Sequence, residues 1–332
     1  MKFSTWIRQI DIDALRARID GATPREVERV LMQDHIADDD LPLLFSPAAD
    51  GYIEEIAARS AAVTERRFGK VIQLYAPIYL SSECVNKCTY CGFSRELDIP
   101  RVTLSPDEVR RDALILHEEG FRHILLVSGE HRRIGNMDYL VGCVRAVEDL
   151  FSSISIEIQP LREHDYRRLV EAGVDGLAIY QEVYDERLYA RYHLAGPKKL
   201  FAARLDAIEA GGAAGMRSLG IGALLGLAPW RGEAALLALH GRFLQRKFWR
   251  SRVSVSFPRI QPSAHQYSPE FRVYDRDLVH MMLGMRLALP DAELVLSTRE
   301  PAHLRDGMVG LAVTRMSAGS RTNPGGYSTP AC

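Results

Sequence analysis

The segment VIQLYAPIYLSSECVNKCTYCGFS, residues 71–94, runs an apolar stretch straight into three cysteines, Cys84, Cys88 and Cys91, at CxxxCxxC spacing. Its first ten residues are nearly continuous in apolar and aromatic side chains, the pattern of a parallel strand covered on both faces. Seven further runs of the same kind follow: HILLVSGE from 123, SISIEIQP from 153, GLAIYQEV from 176, LGIGALLG from 219, RVSVSFPRI from 252, AELVLSTRE from 292 and AVTRMSAG from 312. The segments between them carry helical spacing. The clearest begins at Ser105-Pro-Asp-Glu108, a capping box with proline at the first helical position. It continues with Val109, Ala113 and Leu116 on one face and stops at Gly120. Eight strands alternating with helices predict a (β/α)8 TIM-type barrel over residues 67–332, preceded by a helical extension at 1–66. In that extension, DIDALRARID and PREVERVLMQ have the helical period.

Composition agrees with a large folded core: 332 residues, 47% hydrophobic, with a formal charge of −1. So balanced a charge provides no long-range field for nucleic acid or an acidic membrane surface, and a small molecule is the expected partner. Asp11 and Asp13 interrupt the start of the chain where a secretory signal needs an apolar run, and no stretch is apolar enough to span a membrane. A cytoplasmic, reducing location is expected. There a tight cysteine cluster reads as a metal site rather than a disulfide framework, and Cys143 and Cys332 lie too far off to join it by spacing.

Barrel enzymes take their catalytic groups from the C-terminal ends of the strands. Polar residues concentrate at these ends here. The first strand leads into the cysteine loop, the second into Ser128-Gly-Glu130-His131 and the third into Glu157-Ile-Gln159. The fourth ends at Gln181-Glu182, the sixth at Pro258-Arg259, the seventh at Thr298-Arg299-Glu300 and the eighth at Ser317. Three thiolates anchor three irons of a [4Fe–4S] cluster and leave the fourth iron open to a chelating small molecule, as catalytic zinc keeps an open position. A zinc site completed by His131 and an electron-transfer cluster are the other readings. Zinc clusters usually show paired CxxC spacings, and a ferredoxin requires a fourth cysteine near the three.

CxxxCxxC at the end of the first barrel strand resembles the radical S-adenosylmethionine (SAM) superfamily. The segments CVNKCTYCGFSRE, LLVSGEH, IEIQPL, YQEVYDERLYARYHLAG, IGALLGL, SFPRIQP, LSTRE and NPGGY resemble, in the same order, the tyrosine lyases of the thiamine pathway. This resemblance covers residues 70–327 and implies one [4Fe–4S] cluster held by Cys84, Cys88 and Cys91, with SAM on its open iron. It implies reductive cleavage of SAM to a 5′-deoxyadenosyl radical, which breaks the Cα–Cβ bond of L-tyrosine. The products are 2-iminoacetate (dehydroglycine), passed to thiazole synthase, and p-cresol. A flavodoxin or ferredoxin is the implied reductant.

The resemblance also implies roles for individual residues. Tyr90 lies against the adenine, Gly129 and Glu130 meet the SAM amino group, and Glu157 accepts from the ribose hydroxyls. Gln181, Glu182 and Arg191 serve the methionine or ribose end of SAM. Arg299 and Ser317 hold the substrate carboxylate, which suits the planar guanidinium fork. Structural ion pairs are the alternative for Glu157 and for Arg299, the latter with Glu300 or Asp306. His131 and His193 are read as structural, and Met281, Met282 and Met285 as helix core. A hydrogenase-maturation tyrosine lyase shares the barrel but adds C-terminal cysteines for a second cluster. A tryptophan lyase differs in pocket shape, and a non-catalytic iron–sulfur or zinc protein is the alternative class. The thiamine-pathway enzymes continue past Pro-Gly-Gly-Tyr into a helical tail, whereas this chain reads Ser-Thr-Pro-Ala-Cys332 there, so the barrel is expected to lack that tail.

Changing any one of Cys84, Cys88 and Cys91 to serine is expected to abolish the cluster chromophore and SAM cleavage, while Cys143→Ser retains both. Iron content and visible absorption after anaerobic reconstitution check this. Iron lost from Cys143→Ser but kept by a loop variant would overturn the assignment.

Overall fold

The computed structural model describes residues 1–261 and 267–328; Cys332 lies outside them. Each of the eight apolar runs contains a strand. These are β1 (Gln73–Ser81), β2 (His123–Ser128), β3 (Ser153–Glu157), β4 (Gly176–Ala178), β5 (Ser218–Gly222), β6 (Arg252–Ser256), β7 (Glu293–Leu296) and β8 (Arg315–Ser317). They pair in parallel and in chain order. β8 closes the barrel on β1, with Tyr75 opposite Ser317.

Strand alternation divides the apolar residues into two cores. Outward residues such as Ala76, Ile78 and Leu80 of β1 pack under the helices. Inward residues Tyr75, Leu125, Val127, Ala178 and Val295 form a separate cluster with Tyr79 and Tyr180. β4 is shorter than its apolar run, although backbone bonds to the β5 side continue past Ala178 as far as Glu182, whose φ is +70°.

The helix Pro106–Glu118 begins with the expected capping box: Ser105 Oγ accepts from the Glu108 N–H at 3.4 Å, and Glu108 Oε2 accepts from the Ser105 N–H at 2.7 Å. Cys143 is buried in the helix Met137–Arg145, and Met281, Met282 and Met285 are buried in Asp275–Ala288. The α-helices Phe3–Ile7, Ile12–Asp20, Pro24–Leu31 and Ile53–Phe68 precede the barrel. Their apolar residues, among them Phe3, Ile19, Val27 and Ile56, join the outer core. At the other end of the chain, the Tyr327 hydroxyl donates to the Pro77 carbonyl of β1 at 2.8 Å, which seats the Pro-Gly-Gly-Tyr segment across the β8–β1 closure. Among the described residues, no helix is long and apolar enough to cross a membrane.

Arg286 is fully buried in the helix Asp275–Ala288. Its guanidinium donates to the carbonyls of Ala292 (2.6 Å), Ala312 (2.8 Å) and Pro290 (3.1 Å), and it lies 4.6 Å from the Phe68 ring centre. One side chain therefore joins the segments entering β7 and β8 to the last helix before the barrel. Burial pulls its pKa down to about 10, so it stays charged at neutral pH. Arg286→Met leaves those carbonyls without donors and is expected to cost about 2–4 kcal/mol. Chemical denaturation reads this directly, and a loss under about 1 kcal/mol would show that the carbonyls find other donors.

Candidate active site

The cysteine loop sits on the C-terminal mouth of the barrel and is held by backbone bonds on several sides. Val85 N–H donates to Glu130 O at 2.9 Å, Thr89 N–H to Tyr192 O at 3.1 Å and Arg95 N–H to Asn86 O at 3.0 Å. The two-residue strand Lys87–Cys88 pairs antiparallel with His193–Ala195. Arg101 gathers four loop carbonyls, those of Ser82, Phe93, Ser94 and Leu97, at 2.8–3.2 Å. Gly129, at the end of β2, explains why the loop fits so closely. A Cβ on that residue would lie 2.3 Å from the Glu83 carbonyl oxygen and 3.3 Å from the Cys84 Cβ. No side chain is possible there without moving the loop.

Cys88 is buried, and Cys84 and Cys91 are partly so. Burial pushes the Cys88 thiol up to about 12 and raises Cys91, with Lys198 opposing both. A strong positive charge at the sulfurs favours the thiolates in such surroundings. Two N–H groups already point at sulfur: Asn86 Nδ2 lies 3.6 Å from Cys84 Sγ, and the Phe93 amide lies 3.4 Å from Cys91 Sγ. Such donors stabilise iron-bound thiolates and tune cluster potentials. Among the described residues, no three Cys, His, Asp or Glu side chains converge as the ligands of one ion would.

Beside the cysteines, the mouth holds an ion network. Glu130 accepts from Asn86 Nδ2 (2.9 Å) and Arg204 Nη1 (2.8 Å). Glu182 accepts from Lys198 Nζ at 2.7 Å and lies 3.6 Å from Arg204. Arg204 also donates from Nε to the Tyr180 carbonyl at 2.7 Å, and Asn86 Oδ1 accepts the Lys198 N–H at 2.9 Å. All four charged side chains are largely buried. Such an arrangement is stable only where each charge is paired and hydrogen-bonded.

Tyr90 is fixed through His193. The buried imidazole donates from Nδ1 to the Tyr189 carbonyl at 2.8 Å, which leaves Nε2 to accept the Tyr90 hydroxyl at 2.8 Å. Burial and nearby Lys198 lower the His193 pKa to about 2, so it is neutral. Lys198 Nζ lies 5.8 Å from the centre of the Tyr90 ring. Gln181 is buried with neither amide atom partnered among the described residues. Orphaned polar atoms of this kind normally mark a place where a ligand or water completes the bonding.

The opposite rim comes from β7 and β8. Ser317 Oγ accepts the Thr298 N–H at 3.1 Å, joining the ends of these strands. Arg299 is exposed, with no carboxylate in ion-pair range among the described residues. The alternative pairing with Glu300 is taken by Arg259, which donates from Nε to Glu300 at 3.0 Å and from Nη1 to Asp275 at 2.7 Å. Glu157 lies between the two rims. Burial pushes its carboxyl up to about 7 and Glu182 adds to the shift, while Arg204, Lys198 and Arg299 oppose it.

The structure thus brings Cys84, Cys88, Tyr90, Cys91, Gly129, Glu130, Glu157, Gln181 and Glu182 to the mouth, with Arg299 and Ser317 at its far rim. It does not bring Arg191 into the ion network: this side chain is half exposed and pairs with Glu270 at 2.9 Å. Sequence reasoning missed Asn86, Lys198 and Arg204 and set His193 aside. Asn86 lies inside the cysteine motif and was the one legible hint. Arg204 lies on the buried side of the helix Phe201–Ala213, and Lys198 is one of two consecutive lysines.

Comparison with known proteins agrees with this geometry. The family model of the radical SAM superfamily matches residues 78–234, and that of the biotin and thiamin synthesis associated domain matches 256–331. The chain is 44% identical over 327 residues to a 2-iminoacetate synthase of Escherichia coli, covering 98% of this chain and 87% of that protein. It is 42% identical to one of Salmonella typhimurium, covering 97% and 85%. Among solved structures, the FeFe-hydrogenase maturase HydG from Carboxydothermus hydrogenoformans superposes with a TM-score of 0.89 at 32% identity, covering 98% of this chain and 77% of that one.

Glu157 provides a pH test that needs no ligand. Its folded pKa lies above the ordinary carboxyl value, so the folded state holds the proton more tightly, and stability falls as pH rises from about 4.5 through about 7. Glu157→Gln is therefore expected to be more stable than the parent at pH 8, by about 1–3 kcal/mol, and equal to it near pH 4.5. Denaturation at both pH values decides the matter. An identical difference at each would mean that folding does not raise the Glu157 pKa.

Proposed function

Because the chain belongs to the 2-iminoacetate synthase family within the radical SAM superfamily, we propose that it splits L-tyrosine at the Cα–Cβ bond, giving 2-iminoacetate and p-cresol for thiazole synthesis. The family implies an iron–sulfur cluster and SAM. Cys84, Cys88 and Cys91 would hold a [4Fe–4S] cluster with one iron left for SAM, and the sulfur-directed N–H groups of Asn86 and Phe93 support that fit. When bound, these cofactors supply the one-electron cleavage that yields a 5′-deoxyadenosyl radical.

The chain's own residues then bind and orient. Tyr90, held by His193, presents its ring to the adenine. Glu130 and Glu182 offer carboxylate oxygens to the cationic end of SAM, sharing them with Arg204 and Lys198. Glu157 accepts from the ribose, and Gln181 supplies the amide whose atoms lack partners in the protein. The half-exposed ion pair of Arg191 with Glu270 leaves it no part in this set.

The observation that carries the reading of the substrate is the Arg299 rim. A guanidinium with no carboxylate partner among the described residues follows Thr298, whose amide donates to Ser317, and lies within electrostatic reach of Glu157. An amino acid brings a carboxylate that the planar fork grips in two bonds. Thiazole synthase is the proposed receiver of 2-iminoacetate, and a flavodoxin or ferredoxin the proposed reductant. Anaerobic incubation of the reconstituted protein with SAM, dithionite and tyrosine tests the reaction: 5′-deoxyadenosine and p-cresol must appear together.

Arg299→Lys keeps the charge but loses the fork. It is expected to bind SAM normally, to release 5′-deoxyadenosine at the tyrosine-free rate, and to lose p-cresol by about 10²-fold, since a shift of about 1 Å in a bound substrate costs that much. Ser317→Ala should show the same pattern more mildly, as for one neutral hydrogen bond of about 0.5–1.5 kcal/mol. An unchanged product ratio in Arg299→Lys would assign the carboxylate to another group.

A further inference from the structure

Glu182 is the single non-glycine residue with positive φ among the described residues, and it stands beyond β4, at a bridge to Ala223 past the end of β5. An L-residue does not hold φ +70° unless its surroundings impose it. Backbone bonds to the end of β5 and the segment that follows it flank Glu182: the Gln181 N–H donates to Gly222 O at 3.0 Å, and the Glu182 carbonyl accepts the Leu224 N–H at 2.8 Å. On the C-terminal side, no strand continues. There a buried carboxylate does the holding: Glu233 Oε2, in the first turn of the helix Trp230–Lys247, accepts the Tyr184 N–H at 2.7 Å.

Two further contacts converge on the same turn, and both involve the N-terminal helices. Arg16 Nη2, from the helix Ile12–Asp20, pairs at 3.0 Å with Asp185. Asp185 in turn caps the helix Glu186–Tyr192 through the Arg187 and Leu188 amides. The Tyr184 hydroxyl bonds to His240 Nδ1 at 2.8 Å, and Phe3 stacks on that imidazole with ring centres 4.1 Å apart. None of these groups touches the mouth. Their common effect is to fix the turn from which Glu182 reaches Lys198, and Lys198 in turn meets Tyr90 and Asn86.

We infer that Glu233 is a positioning residue for SAM: by accepting the Tyr184 amide it holds the turn that presents Glu182, with Arg16 of the N-terminal extension bracing the same turn through Asp185. This rests on the reading that SAM binds beside Glu182. It assigns the helices before the barrel a part in cofactor binding in addition to their burial of apolar surface.

Three variants test it, assayed as iron-loaded protein with dithionite and normalised to iron content. Glu233→Leu fills the space but leaves the Tyr184 amide without an acceptor, Glu233→Gln keeps an acceptor, and Arg16→Ala removes the outer brace. Glu233→Leu is expected to weaken SAM about tenfold, both in the KM and in the Kd from equilibrium titration without tyrosine or reductant, while the KM for tyrosine stays within about twofold, and Glu233→Gln to restore most of the loss. Arg16→Ala is expected to raise the KM for SAM about threefold and serves as the deciding variant if Glu233→Leu does not fold. A residue that only stabilises the fold would lower the melting temperature or iron content without separating the two KM values. The inference is overturned if the KM for SAM is unchanged in the folded variants, or if both KM values rise together. If the parent itself fails to cleave SAM, the fault lies with the proposed function and not with Glu233.

Discussion

The carboxamide of Asn86 connects the parts of the mouth that must act together. Its nitrogen reaches both Cys84 Sγ and Glu130, and its oxygen accepts the backbone N–H of Lys198. Through Glu130 it meets Arg204, and through Lys198 it meets Glu182 and the Tyr90 ring. A buried amide has a fixed number of donors and acceptors, and satisfying them leaves one orientation for the loop that carries the thiols. The cysteine loop and the carboxylates beside it therefore form one hydrogen-bonded unit.

Burial sets the electrostatics of that unit. Two cations, Arg204 and Lys198, offset Glu130 and Glu182, and Lys198 also lowers the cost of negative charge on the Cys88 and Cys91 sulfurs. Among the described residues Glu157 has no such direct partner, and burial pushes its carboxyl up to about 7. One mouth therefore contains two carboxylates paired with cations and, at Glu157, one without such a partner among the described residues, whose protonation follows its surroundings. On the far rim, Glu300 occupies Arg259 and leaves Arg299 without a carboxylate among the described residues.

Support for the mouth extends well beyond the barrel. Arg286 holds the entries of β7 and β8 from outside, and Tyr327 closes β8 onto β1. The turn after β4 is held by Glu233, Arg16 and the Phe3–His240 stack. The helices before the barrel share its outer core.

The sequence by itself determined the barrel, because near-continuous apolar runs of strand length and a capping box are local signals that need no tertiary information. It also determined the cysteine loop and the strand-end positions of Glu130, Glu157, Glu182, Arg299 and Ser317, since polar residues ending apolar strands have one exit in a parallel barrel. Gly129 was read for a ligand, and the structure adds a steric reason, the approach of the Glu83 carbonyl, that no one-dimensional pattern carries. Only tertiary structure decided which charges meet. Lys198, Arg204 and Asn86 come from separate segments, and whether Arg299 or Arg259 is tied to Glu300 depends on differences of a few ångströms between neighbouring side chains. The surface pairing of Arg191 with Glu270 was equally hidden, because the two are 79 residues apart and meet only once the chain has closed.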